Sequence, residues 1–130
     1  MKYVALLAVV AAAMLGVSVG RASSTINGTF STVIAGQNVA LLNGRWKLEL
    51  LPGSRYTVVR NGVVMIRGTG ARTATEITFD DTSGPAACQG SEVRAIYRWH
   101  VAGHKLTLTP ITEHCAGRRV VLTSHPLVRG

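Results

Sequence analysis

The sequence predicts an all-β protein: a meander of seven or eight short antiparallel strands closed up-and-down into a small barrel. Three observations predict it. Apolar and polar residues alternate over one short run after another, the signature of half-buried strands. Turn residues separate those runs at hairpin distance: Pro52-Gly53-Ser54, Asn61-Gly62 and Ala102-Gly103. No run after Ser23 holds a helical period. Closing such a meander on itself removes its exposed edges; a two-sheet sandwich is the alternative.

The chain of 130 residues begins with Met1-Lys2 and an almost unbroken apolar run from Tyr3 to Val19. Gly20-Arg21-Ala22 then places small residues before Ser23, the pattern of a secretory signal peptide over residues 1–22. A retained anchor is the competing reading, since about 18 apolar residues just span a bilayer. With the leader removed, no stable membrane insertion is expected. The product is secreted, periplasmic or extracellular. Losing Lys2 and Arg21 lowers the 14 basic residues to 12 against 6 acidic ones, a charge of +6. What remains is enough chain for one modest domain.

Residues 23–42 are a polar lead-in. Thr29 to Ile34 could form a first strand, and Val39 to Leu42 a turn of helix or an edge piece. Asn27-Gly28-Thr29 fits a glycosylation sequon, which matters only in a eukaryotic secretory route. The barrel itself is expected over residues 43–126. Its first strong strand, Arg45–Leu51, puts Trp46, Leu48 and Leu50 on one face. Arg55–Arg60 follows, then Asn61-Gly62, the strongest short hairpin signal. Val63–Gly68 and Glu76–Asp80 come next, with Ile77 and Phe79 inward. Glu92–Val101 turns Ala95, Tyr97, Trp99 and Val101 to one face, and Lys105–Thr109 turns Leu106 and Leu108 inward. Arg118–Ser124 is the expected seventh strand, with Arg118, Val120 and Leu122 sharing a face. Residues 127–130 are a tail.

Cys88 and Cys115 both lie in the exported part, where two cysteines most simply form one structural disulfide. The bridge is worth roughly 3–4 kcal/mol by chain-entropy arithmetic.

The ordered series Gly44-Arg45-Trp46-Lys47-Leu48, Gly53-Ser54-Arg55-Tyr56, Asn61-Gly62, Gly68-Thr69, Ile77-Thr78-Phe79, Cys88, Tyr97-Arg98-Trp99, Leu106-Thr107-Leu108-Thr109 and Cys115-Ala116-Gly117-Arg118 resembles small bacterial secreted lipocalin-like (calycin-type) domains of largely unassigned function. The resemblance implies that Trp46 plugs the closed end of a barrel and that Arg118 stacks across it, a cation–π contact. Two features depart from it. The helix that follows a lipocalin barrel is absent from the pattern, and Gly70 stands where an aromatic often follows Gly-Thr, which unsettles or opens one wall. A chain this short also implies a small barrel.

Catalytic signals are absent, so no enzymatic activity and no cofactor are expected. There is no Gly-x-Ser-x-Gly elbow and no ordered Ser/His/Asp set. Asp80-Asp81 at a strand end would point in opposite directions, which suits a capped turn better than shared acid–base work. His100, His104, His114 and His125 lack metal-ligand spacing and read as turn and surface residues. Nucleic acid is not an expected partner, because alternation sends Tyr97 and Trp99 inward rather than onto a stacking platform. The leading expectation is binding of a small apolar or amphipathic molecule, with Tyr56, Met65, Phe79, Tyr97 and Trp99 as lining residues. A filled core with function on the basic outer face is the alternative.

Overall fold

The computed structural model describes residues 26–130. The expected leader over residues 1–22 lies outside the described residues. Eight strands, β1 (Gly28–Ile34), β2 (Gly44–Leu51), β3 (Arg55–Arg60), β4 (Val63–Thr69), β5 (Glu76–Ser83), β6 (Arg94–Ala102), β7 (Lys105–Thr112) and β8 (Leu127–Arg129), close into one antiparallel barrel in sequence order. One helix, α1 (Ala116–Thr123), separates β7 from β8.

The alternation seen in the sequence builds the wall. Trp46, Leu48 and Leu50 of β2 face inward, as do Ile77 and Phe79, Ala95 and Tyr97, and Leu106 and Leu108. Asn61 and Gly62 both have positive φ, 48° and 81°. That is the backbone of a tight hairpin whose twist matches its strands.

Two expected elements are different in kind. The segment expected as a seventh strand, Arg118–Ser124, is helical through Thr123, and the buried residues of the helix are Arg118, Val121 and Leu122. That is spacing i, i+3, i+4, one face of a helix. The last residues are not a tail. Leu127–Arg129 forms β8, which pairs with β1 through Phe30↔Arg129 and Ser31↔Val128, and with β7 through Lys105↔Val128 and Leu106↔Leu127. A three-residue strand therefore makes the closure, with Leu127 buried in the core.

At one end of the barrel three connections are long and structured, residues 35–43, 84–93 and the α1 segment, and the fourth is the tight Asn61-Gly62 hairpin. Those at the other end are shorter than these three. There Arg72 donates to the carbonyls of Ile26, Leu51 and Arg55 and to the Asn27 side chain, at 2.5–2.9 Å. It ties Ile26 and Asn27, just before β1, to the β2–β3 turn. The disulfide Cys88–Cys115 joins the 84–93 connection to the residue preceding α1.

Gly70 does not open space. A Cβ there would stand 1.7 Å from the Thr78 carbonyl oxygen, so the backbone of β5 occupies the volume an aromatic side chain would need.

A cavity under the helix and a buried ionic network

The α1 segment lies over the end of the barrel where the disulfide sits, and beneath it is a cavity of about 80 Å³. Its walls are apolar side chains of the strands (Trp46, Val58, Ile66, Phe79), Leu42 from the β1–β2 connection, and Val121 and Leu122 from the helix. Tyr56, Asp81 and Arg118 supply its polar side. Ala86 borders it too and is exposed, so the cavity reaches solvent beside the 84–93 connection.

The polar side is part of a network that the sequence did not announce. Asp81 and Glu113 are both buried, with side-chain exposure of 0%. Each is held in the same way. The Tyr56 hydroxyl donates to Asp81 Oδ1 at 2.5 Å, and the Cys88 amide to Oδ2 at 2.8 Å. The Tyr97 hydroxyl donates to Glu113 Oε2, and the Cys115 amide to Oε1 at 2.8 Å. Arg118 stands between the two carboxylates. Its Nε and Nη2 donate to Glu113 at 2.9 and 3.0 Å, and its Nη1 lies 3.4 Å from Asp81 Oδ1. Nη1 and Nη2 also donate to the carbonyls of Val93 and Glu92, each at 2.7 Å. Four of the five guanidinium N–H groups donate hydrogen bonds, and Nη1 meets Asp81 as an ion pair only.

The geometry fixes protonation. Burial, and then the hydrogen bond to a carboxylate, pushes both tyrosine hydroxyls well above the usual phenol range, so both remain donors. Burial pulls the Glu113 carboxyl upward. The hydrogen bonds from Arg118, Tyr97 and the Cys115 amide outweigh that and hold it below the ordinary carboxylate value. For Arg118 burial opposes the charge, and Glu113 with Asp81 more than restores it.

Tyr56 reaches Asp81 across Gly68, which pairs with both residues. A Cβ on Gly68 would lie 2.2 Å from the tyrosine ring and 2.5 Å from the Asp80 carbonyl. Glycine is the only residue that leaves the ring its path. Tyr56, Phe79 and Tyr97 then stack edge to face, with centroids 5.0 and 5.6 Å apart.

Of the residues expected to line a ligand site, Tyr56 and Phe79 border the cavity. Tyr97 is fully buried beside Glu113. Met65 and Trp99 are half-buried against the core, and the Trp99 indole donates to the Thr73 carbonyl. Trp46 and Arg118 both border the cavity, yet they do not form the expected stack. The Trp46 indole donates to the Leu42 carbonyl at 2.8 Å, and Arg118 on its helix is committed to carboxylates. Among the described residues the cation over a ring is Arg129, 4.6 Å from the centroid of Phe30. Asp80 and Asp81 do point apart. Asp80 pairs with Arg94 at the surface, but Asp81 belongs to the core rather than to a capped turn.

No family model, curated protein or solved structure matches this chain. The histidines are exposed, and among the described residues no three His, Cys, Asp or Glu side chains gather as metal ligands. No helix of the described residues is long and apolar enough to cross a membrane.

Proposed function

We propose that this is an exported, non-catalytic β-barrel protein of lipocalin-like type that takes a small, partly apolar molecule into the cavity beneath α1. The observation that carries this reading is the cavity itself. Apolar walls meet a cluster of buried polar groups on one side, the usual make-up of a small-molecule site. On the same measure a water needs about 10–15 Å³, and an engineered cavity of about 150 Å³ accepts benzene. A guest of about four heavy atoms suits this one. The disulfide and the resemblance of the strand motifs to secreted lipocalin-like domains support an exported setting.

Amide and indole NMR of the protein during titration with small fragments tests the reading. Shifts confined to Trp46, Cys88 and the α1 amides support it, and Ala86→Phe at the cavity's rim is expected to abolish them. Fragments that shift none of these signals would refute it.

One observation favours a second reading, a module that acts through its outer face. A wide groove of about 440 Å³ runs over β1, β2 and β8, with exposed Val33 and Val128 beside Arg45 and Lys47.

A further inference from the structure

We infer that one side of the barrel, formed by β8, β1, the start of β2 and the β3–β4 hairpin, docks reversibly on an anionic lipid surface. The inference rests on the second reading above, action through the outer face, and does not depend on the cavity.

Exposed apolar side chains are gathered on this side. Among the described residues six large ones are exposed: Val33, Val39, Leu41, Val63, Ile111 and Val128. All but Ile111 lie here. Val33 and Val128 line one groove, where β8 pairs with β1 through Ser31↔Val128. Val39 and Leu41 stand on the connection from β1 to β2, and Val63 opens β4. The hairpin before Val63 adjoins β2, since the Asn61 amide donates to the Arg45 carbonyl and the Arg45 amide to the Asn61 side chain. Apolar patches rimmed by polar groups mark interaction surfaces.

The charge around these residues has one sign. Arg45 is the strand partner of Val33, and Lys47 that of Ser31. Both cations are exposed, and neither has an acidic partner among the described residues. Residues 26–48, 58–66 and 126–130, which build this side, contain no Asp or Glu. Glu49, the next outward residue along β2, accepts from the Thr57 hydroxyl and lies toward the other end of the barrel.

The two features together choose the occupant. A second copy docked twofold through this face would set Arg45 and Lys47 against their own equivalents. An acidic polymer would match the cations but leave Leu41 and Val63 in water. The boundary between headgroups and acyl chains of an anionic bilayer receives both, aliphatic tips below and basic side chains above.

Vesicle co-sedimentation tests this with the exported form, residues 23–130, which holds the whole barrel and lacks the apolar run Tyr3–Val19. Vesicles of phosphatidylcholine alone are compared with vesicles containing about one-third phosphatidylglycerol. The protein is expected to bind the anionic vesicles at least about tenfold better, and added salt is expected to weaken that binding. Arg45→Ala with Lys47→Ala should cost about thirtyfold, since each basic residue near such a surface is worth roughly fivefold. Val39→Ser with Leu41→Ser should cost at least about tenfold. Arg67→Ala with Arg98→Ala, an equal change of charge elsewhere, and Ile111→Ser should each cost less than about threefold. All these side chains are exposed, so the variants keep the fold. Equal losses from the Arg67 and Arg98 pair would assign binding to the charge of the whole chain and overturn the face. Self-association that Leu41→Ser abolishes, or binding to polyglutamate that survives Val39→Ser with Leu41→Ser, overturns the lipid while action through the outer face stands. No binding to vesicles, to polyglutamate or to a second copy overturns both.

Discussion

Arg118 is the residue on which the end of the barrel beneath α1 depends, and sequence parity placed it on an inward face for the wrong reason. Counting by twos groups it with Val120 and Leu122, whereas the helix groups it with Val121 and Leu122. Either count buries the arginine, so burial was legible and its partners were not. Asp81 and Glu113 carried no signal, because each stands where acids commonly cap turns. A buried charge that loses its partner stays in the core uncompensated, which costs about 3–5 kcal/mol. Arg118→Ala is therefore expected to lose that much in urea unfolding. Arg119→Ala, one position on and exposed, is expected to lie within about 0.5 kcal/mol of the parent. Glu113 adds a pH dependence. Its folded pKa is held below the ordinary glutamate value, so its stabilisation is complete above that ordinary value and is lost as pH falls through the folded one. Thermal melts of the parent and Glu113→Gln should differ at pH 7 by roughly 3 kcal/mol and converge on acidification. A constant gap down to pH 2 would contradict the ion pair.

At the scale of elements, strands with strict alternation were legible and the helix was not. Ala116–Thr123 is only eight residues long and contains adjacent β-branched Val120 and Val121. Its helical state is set by tertiary contacts: Arg118 docking on the Glu92 and Val93 carbonyls, and Cys115 anchored through its bridge to Cys88. Short helices owe most of their stability to such packing. The bridge closes a loop of 27 residues, for which chain entropy gives roughly 3.6 kcal/mol. Replacing both cysteines by alanine should cost about that much and loosen α1 first, read as faster amide exchange at residues 116–123 than in β2 or β3. Uniform loosening would mean that the bridge holds the barrel rather than the helix. Gly68 makes a second test of the same end. Gly68→Ala forces Tyr56 off Asp81, and it should cost more than 2 kcal/mol through crowding and a broken buried network.

The closed architecture of the whole molecule was legible because nearly every strand announced itself, yet the step that closes it was hidden. Leu127-Val128-Arg129 follows Pro126 and is too short to show a period. It is a strand only because β1 and β7 offer edges on both sides. Its contribution exceeds its length. Leu127 fills the core, Arg129 covers Phe30 and donates to the Asn27 carbonyl, and the Arg129 and Gly130 amides donate to the carbonyls of His104 and Thr29. Truncation after Pro126 removes all of this and leaves β1 and β7 with unpaired edges, which recruit other chains. The shortened protein is expected to lose cooperative unfolding and to aggregate at concentrations where the full chain stays monodisperse by light scattering. Supplying residues 127–130 as a free peptide should not rescue it, since a four-residue segment cannot recover the entropy it loses on docking. Leu127→Ala isolates the core term and should cost about 2–5 kcal/mol while leaving the backbone pairing in place. If the truncated chain unfolds as cooperatively as the parent, the barrel closes without β8, and these residues are the tail that the sequence suggested.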